Sequence, residues 1–170
     1  TAEGARGHID LDIALVADTL TGGAGSDVFY FTVDKDQNML TSETVIMDTV
    51  TDLNLGTAVV GGQVDRIALY EANDAGTAVQ LLAINDVVNG GLAIDATSYG
   101  DTLEQAVNDM FDTGREFGAD ETNIAALINY GSESYLVALG SEGQDEFGTD
   151  DYIIKVTDFV GVLDTTDFLV

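Results

Sequence analysis

The sequence predicts a mainly β protein, in which a short parallel β-roll leads into a mostly antiparallel β-sandwich with one short helix packed on it. Three observations predict this fold class: a nine-residue register near the start, a series of β-branched and aromatic segments after it, and one amphipathic helical segment. We expect residues 1–33 to be the terminal part of the roll and residues 34–170 to be a β-rich C-terminal domain.

The nine-residue register is clearest in "GGAGSDVFY", residues 22–30, which fits the repeat G-G-x-G-x-D-x-U-x, where U is a large apolar residue. Two degenerate units precede it, beginning at Gly4 and Ile13. The inward positions of the three units are Leu11, Leu20 and Phe29. In a coil built of two units, each turn stacks on the turn two units earlier. The turn from Gly22 to Asp27 is therefore expected to lie over residues 4–9.

The same turn carries the oxygen ligands that calcium prefers, namely main-chain carbonyls and a carboxylate. A phosphate-binding loop would need a helix directly after the glycines, whereas the strand-like segment "VFYFTV" follows here. In the earlier turn, Ile9 stands where the repeat has aspartate. We expect a calcium site whose residues are Gly22, Gly23, Gly25 and Asp27, with Asp18 from the preceding unit.

A second acidic segment, "EGQDEFGTDDY", lies near the C-terminus. The candidate ligands in it are Asp145, Asp150 and Asp151. A second calcium site and a solvated acidic turn both explain this composition, and the sequence leaves the choice open.

The segments after the repeat read as strands separated by Gly, Asn and Asp clusters. They are "DVFYFTV", "TVIMDTVTDL", "VDRIALY", "AVQLLAI", "GLAID", the hairpin "NIAALINY-GSE-SYLVALG", "DYIIKVTDF" and "VGVL". The predicted helix is capped by Asp101, with Glu104 three residues on. Its apolar face consists of Leu103, Ala106, Val107, Met110 and Phe111.

The charge balance excludes some partners. The chain has 31 Asp and Glu against 5 Lys and Arg, a formal net charge of -26. Such a surface repels nucleic acid and anionic lipid, and no apolar run is long enough to predict membrane insertion. Self-repulsion disfavours the compact state unless cations offset it, so divalent cations are expected partners. A halophile-like surface that depends on bulk salt is the alternative.

The residues needed for common catalytic sites are scarce. The chain has no cysteine, and His8 is the single histidine, within a degenerate glycine turn. Carboxylate pairs abound, but nothing in their spacing selects one pair for acid–base chemistry. We therefore do not expect this chain to be an enzyme.

Both ends of the chain resemble one family of bacterial proteins. "LTGGAGSDVFYF", followed by "VIMDTVTDLNLG" and "VDRIAL", is similar to the segment that closes the repeat roll in RTX proteins. The last twenty residues resemble the C-terminal end of serralysin-type secreted proteases, with matches at Lys155, Gly161 and the terminal four residues. The tails of large bacterial surface proteins are also similar. Residues 71–122 have no clear counterpart.

The resemblance implies a non-catalytic C-terminal domain with an uncleaved type I secretion signal, here Asp167, Phe168, Leu169 and Val170. Family members stay unfolded in the calcium-poor cytosol and fold outside when calcium binds. The implied partners are the type I secretion machinery and the rest of a larger parent chain, of which we expect this sequence to be a part. The implied location is secreted or on the bacterial cell surface, as in an adhesin or surface-layer protein. The alternative is an accessory calcium-binding domain of a secreted hydrolase or polysaccharide-modifying enzyme.

Overall fold

A computed structural model of the chain describes residues 8–9, 19–32, 40–41, 44–45, 47–56, 63–72, 79–111, 122–140 and 151–169. Its strands are β1 (His8–Ile9), β2 (Thr19–Thr21), β3 (Val28–Thr32), β4 (Leu40–Thr41), β5 (Thr44–Val45), β6 (Thr49–Thr51), β7 (Asn54–Leu55), β8 (Arg66–Ala72), β9 (Val79–Leu81), β10 (Asp86–Val87), β11 (Ile94–Asp95), β12 (Ile124–Tyr130), β13 (Glu133–Ala138), β14 (Tyr152–Thr157) and β15 (Val160–Gly161). The α-helix is α1 (Leu103–Phe111), and the 3-10 helices are Val88–Gly91, Ala96–Ser98 and Thr165–Asp167.

The described chain is mainly β with one short helix, as predicted, but its sheets are mixed rather than mostly antiparallel. The larger sheet has the order β10-β12-β13-β14-β6-β2, with β11 also beside β12, and the smaller sheet has the order β1-β3-β8-β9. The predicted hairpin is confirmed: β12 and β13 are antiparallel, and Gly131 in the turn has a φ of 65°. Strand β14 is antiparallel to β13 but parallel to β6, which makes this sheet mixed.

The chain passes from the larger sheet to the smaller sheet three times in the same direction. The strands before these passages therefore lie parallel to one another, and so do the segments after them. Strands β2, β6 and β14 lie side by side in the larger sheet, with β6 in the middle. In the smaller sheet, β3 pairs with β8, and a parallel bridge joins Ile67 to Phe168. We call the connections the first turn (residues 22–27), the second turn (residues 52–65, described at 52–56 and 63–65) and the third turn (residues 158–167).

The same three residues lead from the larger sheet into the second turn and into the third turn. "VTD" occurs at residues 50–52 and again at 156–158, and the register pairs Val50 with Val156. Strand β15 then pairs with β7 in the same parallel sense. The C-terminal segment thus repeats the path of residues 49–55 beside them.

The N-terminal pairing is parallel, as a coil requires, but its register differs from the predicted one. His8 pairs with Val28, and Ile9 pairs with Phe29. Two nine-residue units would instead have put Ile9 beside Asp27. Ile9 therefore has the register position of an inward residue rather than that of a ligand. Leu11 and the predicted turn at residues 4–7 lie outside the described residues.

Apolar side chains cover both faces of the larger sheet. One cluster joins this sheet to the smaller one and includes Leu20, Phe29, Val50, Leu55, Ile67, Leu136, Tyr152, Leu163 and Phe168. The other cluster lies under the helix and includes Ala106, Val107, Met110, Ala126, Ile128, Val137 and Ile153. The predicted apolar face of the helix is therefore buried at Ala106, Val107 and Met110.

The helix cap lies one residue later than predicted. The hydroxyl of Thr102 accepts a hydrogen bond from the Gln105 main-chain N–H at 3.2 Å, while the Gln105 side chain accepts one from the N–H of Asp101 at 3.1 Å. Thr102 is therefore the N-cap, but the box is incomplete, because Gln105 accepts from the N–H of Asp101 rather than from that of Thr102 itself.

Candidate functional site

The first turn leaves the larger sheet at Thr21 and enters the smaller sheet at Val28. Two of its glycines have positive φ, 83° at Gly23 and 132° at Gly25, a region that L side chains rarely adopt. The turn therefore needs glycine at these positions, as the repeat motif has it.

Asp27 turns back into the first turn rather than out into solvent. Its side chain is 6% exposed, and its Oδ2 lies 2.9 Å from the position that a β-carbon would occupy on Gly22. Phe29, fully buried, lies 3.1 Å from the same position. A β-carbon at residue 22 would push the Asp27 carboxylate and the Phe29 ring out of these positions, so glycine favours this placement of the carboxylate.

The carboxylate of Asp52, from the second turn, holds the main chain of the first turn. Its Oδ1 accepts a hydrogen bond from the Gly22 N–H at 3.0 Å, and its Oδ2 accepts one from the Gly23 N–H at 2.9 Å. Asp52 itself has a φ of 60° and donates its N–H to the Thr157 carbonyl at 3.0 Å. One aspartate thus links the first turn to the C-terminal strand.

Asp65 forms a second, deeper link at the other end of the same turns. Its side chain is 1% exposed, and its Oδ1 accepts a hydrogen bond from the Asp27 N–H at 2.9 Å. Its Oδ2 accepts hydrogen bonds from the Asn54 N–H at 2.9 Å and from the Asn54 side-chain amide at 3.2 Å. Both oxygens of this buried carboxylate are therefore satisfied by the protein itself.

The predicted secretion signal is part of the folded core. Asp167 is fully buried and Phe168 is 2% exposed, and the Leu169 N–H donates to the Ile67 carbonyl at 2.8 Å. The carboxylate of Asp167 accepts hydrogen bonds from the Gly56 N–H at 2.7 Å and from the Asp164 N–H at 2.8 Å. Val170 lies outside the described residues.

Burial raises the pKa of the Asp167 carboxyl above its ordinary value, although the N–H groups of Gly56 and Asp164 act in the opposite direction. The neighbouring Asp164 carboxylate also raises this pKa, and the Arg66 guanidinium lowers it. A raised folded-state pKa gives a contribution to stability that is complete below the unfolded value of 3.8 and is lost as pH rises through the folded value.

We expect the stability advantage of the wild type over Asp167→Asn to shrink as pH rises from 3.5 towards neutrality. The asparagine variant lacks the titration and has only one acceptor for the two N–H groups, so it is less stable throughout by about 1–3 kcal/mol. Urea unfolding of both proteins across this pH range measures the difference. An advantage that grows with pH would contradict the raised pKa.

Of the second acidic segment, Asp151 is described, while Asp145 and Asp150 lie outside the described residues. The Asp151 side chain is 3% exposed, and its Oδ1 accepts a hydrogen bond from the Gly140 N–H at 2.9 Å. This hydrogen bond joins the two ends of the segment between residues 140 and 151. It is compatible with both interpretations of that segment, a second calcium site and a solvated acidic turn. Asp18, the remaining predicted ligand, also lies outside the described residues.

The residues predicted to bind calcium in the first turn carry oxygen donors, the ligand type that hard cations prefer. They are the Asp27 carboxylate, which lies over Gly22, and the main-chain carbonyls of Gly22, Gly23 and Gly25. Within the described residues, no three Asp, Glu, His or Cys side chains come together as a metal-binding group. An ion at this turn would therefore take most of its ligands from the main chain, which glycine leaves accessible.

Sequence reasoning missed the roles of Asp52 and Asp65, although signals for both are present. Asp65 begins "DRIAL" as Asp27 begins "DVFYF", and a glycine pair at residues 61–62 precedes it. Asp52 ends the "VTD" that recurs at Asp158. These short matches mark both aspartates as turn residues but do not show which main-chain N–H groups each one holds.

No family model, curated protein or solved structure matches this chain in the comparisons. Among the described residues there is no helix of sufficient length and apolarity to cross a membrane.

Proposed function

We propose that this chain is a non-catalytic C-terminal module of a larger secreted or cell-surface protein, which binds calcium and folds after type I export. The observation that carries the proposal is the first turn. It combines positive-φ glycines with a buried aspartate folded over Gly22, between strands that pair in parallel with their neighbours. These are the features that a calcium-binding nonapeptide turn requires.

In this proposal, the three parallel passages are the end of a β-roll, and the antiparallel strands with the helix are the sandwich that follows it. The pairing of β2, β6 and β14 supports the roll, because successive coils of a roll lie parallel and in register. The cluster that joins the two sheets supports the sandwich. The residues that would hold calcium are Asp27 and the turn glycines, and the ion would supply positive charge at a fixed position.

Electrostatics supports a cation requirement. With 31 acidic residues against 5 Lys and Arg, most carboxylates have no basic partner in the sequence. The pair formed by Lys155 and Glu133 is a salt bridge at a partly exposed position, where such pairs contribute little. A divalent ion that binds only the folded state offsets repulsion and shifts the equilibrium towards folding. This mechanism suits a chain that crosses a calcium-poor cytosol before it reaches calcium outside.

Burial of the C-terminal residues supports export of the unfolded chain. An exporter can contact Asp167 and Phe168 only before the domain folds, since both are at most 2% exposed afterwards. A signal made of these residues is therefore readable in the cytosol and hidden in the folded product.

We expect a chain that lacks residues 167–170 to remain inside a bacterium equipped with a type I exporter, while the wild type reaches the medium. The matched control is Phe29→Ala, because Phe29 is as deeply buried as Phe168 and its loss destabilises the same core cluster. Since export acts on the unfolded chain, the control should be exported like the wild type. Quantifying both chains in cells and medium is the measurement, and export of the truncated chain at the control's level would contradict the secretion assignment.

A further inference from the structure

The first turn has two different faces, one towards the second turn and one towards β1. Strand β3 lies between β8 and β1 in the smaller sheet, and this order fixes the two faces. On the face towards the second turn, carboxylates hold three main-chain N–H groups of the first turn: those of Gly22 and Gly23 by Asp52, and that of Asp27 by Asp65.

We infer that Asp52 and Asp65 are built-in anionic clasps, which close this face of the turn without calcium and restrict ion binding to the face towards β1. The inference rests on the proposed function, since it divides the same turn into a calcium-binding and a calcium-independent side. It assigns no ligand role to either clasp residue.

The reason lies in what an ion between the two turns would displace. A calcium ion bound by Asp52 or Asp65 would take the carboxylate oxygens that now accept main-chain hydrogen bonds. At Asp65, the N–H groups of Asp27 and Asn54 would then lose their acceptor, which is costly for donors that are buried or partly buried. At Asp52, the N–H groups of Gly22 and Gly23 would lose theirs. Carboxylates that accept hydrogen bonds from main-chain N–H groups already have their charge stabilised, as anions at such sites are.

The face towards β1 differs from this arrangement. There the pairing strand carries His8 beside Val28 and Ile9 beside Phe29. Neither His8 nor Ile9, the two described residues of β1, carries a carboxylate, so the donor set proposed on this face consists of the Asp27 carboxylate and the glycine carbonyls.

The same kind of clasp recurs at the third turn, which shows that it is a general device of this chain. Asp167 holds the N–H of Gly56 in the second turn, just as Asp52 holds Gly22 and Gly23 in the first. Each turn is thus held by an aspartate of the turn that follows it. Carboxylates of the protein itself therefore join the first turn to the second and the second turn to the third.

The test compares Asp52→Asn and Asp65→Asn with Asp27→Asn in chelator and in calcium, with an osmolyte added so that the chelated chain is folded. We expect both clasp variants to lower the melting temperature equally with and without calcium and to leave the midpoint of the calcium titration unchanged. Asp27→Asn should instead move that midpoint by about 10-fold or more, which corresponds to about 1.4 kcal/mol. A comparable shift of the midpoint in either clasp variant would overturn the inference.

Amide exchange of the wild type keeps the inference testable if a clasp variant does not fold. In chelator with osmolyte, the N–H groups of Gly22, Gly23 and Asp27 should remain protected like those of the hairpin β12–β13. Rapid exchange at these three positions would overturn the inference, because the clasps would then need calcium. If calcium alters no variant at all while the clasp variants are destabilised, the clasps stand and the proposed calcium function is wrong.

Discussion

Replacing Phe168 with alanine is expected to lower the free energy of unfolding by about 3–5 kcal/mol, the usual effect of removing a buried phenylalanine. Phe168 is 2% exposed and belongs to the cluster between the two sheets, where it bridges to Ile67. Its loss leaves a cavity in that cluster and weakens the last of the three parallel passages. Urea unfolding, with an unchanged slope to confirm two-state behaviour, measures the effect.

The matched control is Leu92→Ala, because Leu92 is 58% exposed and lies outside both core clusters. It should change stability by less than about 0.5 kcal/mol. If Phe168→Ala were as mild as Leu92→Ala, the C-terminal residues would not be part of the core in solution. A secretion signal at residues 167–170 would then be accessible in the folded state as well.

In an osmolyte that keeps the chelated chain folded, calcium is expected to raise the melting temperature of the chain by roughly 5–10 °C over the chelated state. An ion at 100 times its dissociation constant contributes about 2.7 kcal/mol when it binds only the folded state. For a domain of this size, each kcal/mol corresponds to about 2–4 °C. Circular dichroism melts with chelator, calcium and magnesium measure the shift, and magnesium should not reproduce it, because it demands a rigid octahedral site.

Asp27→Asn is the matched variant for this experiment, since it keeps the shape of the side chain and removes its charge. The calcium-dependent part of the shift should fall to about half or less in it, because a site at least 10-fold weaker contributes at most about 1.4 kcal/mol at the same calcium concentration. Equal stabilisation by molar sodium chloride and by millimolar calcium would instead favour the halophile-like alternative, in which the acidic surface responds to bulk salt. A melting temperature that is the same with chelator, calcium and magnesium would exclude calcium-driven folding.

Local sequence signals predicted most of the individual elements. The apolar segments and turn residues of "NIAALINY-GSE-SYLVALG" were sufficient to predict the hairpin. The spacing of Ala106, Val107 and Met110 was sufficient to predict the buried face of the helix. The first turn was predictable for the same reason. Its glycines and Asp27 encode a backbone shape within nine residues, which requires no knowledge of distant partners.

Relations over long sequence distances were not predictable in the same way. Val156 pairs with Val50 across more than a hundred residues, and "VTD" is too short to announce that contact. The roles of Asp52 and Asp65 depend on which main-chain N–H groups the stacked turns bring towards them. The register of β1 was also missed, because a strict nine-residue period predicts pairing eighteen residues apart, whereas His8 pairs with Val28.

Calcium binding at the first turn is tested most directly by a titration followed through the amide resonances of the protein. Saturable shifts are expected at Gly22, Gly23, Gly25 and Asp27, with the chelated spectrum restored by removing the ion and no equivalent change in Asp27→Asn. Saturable shifts confined to the segment that ends at Asp151, or no saturable shift at the first turn, would contradict the assignment.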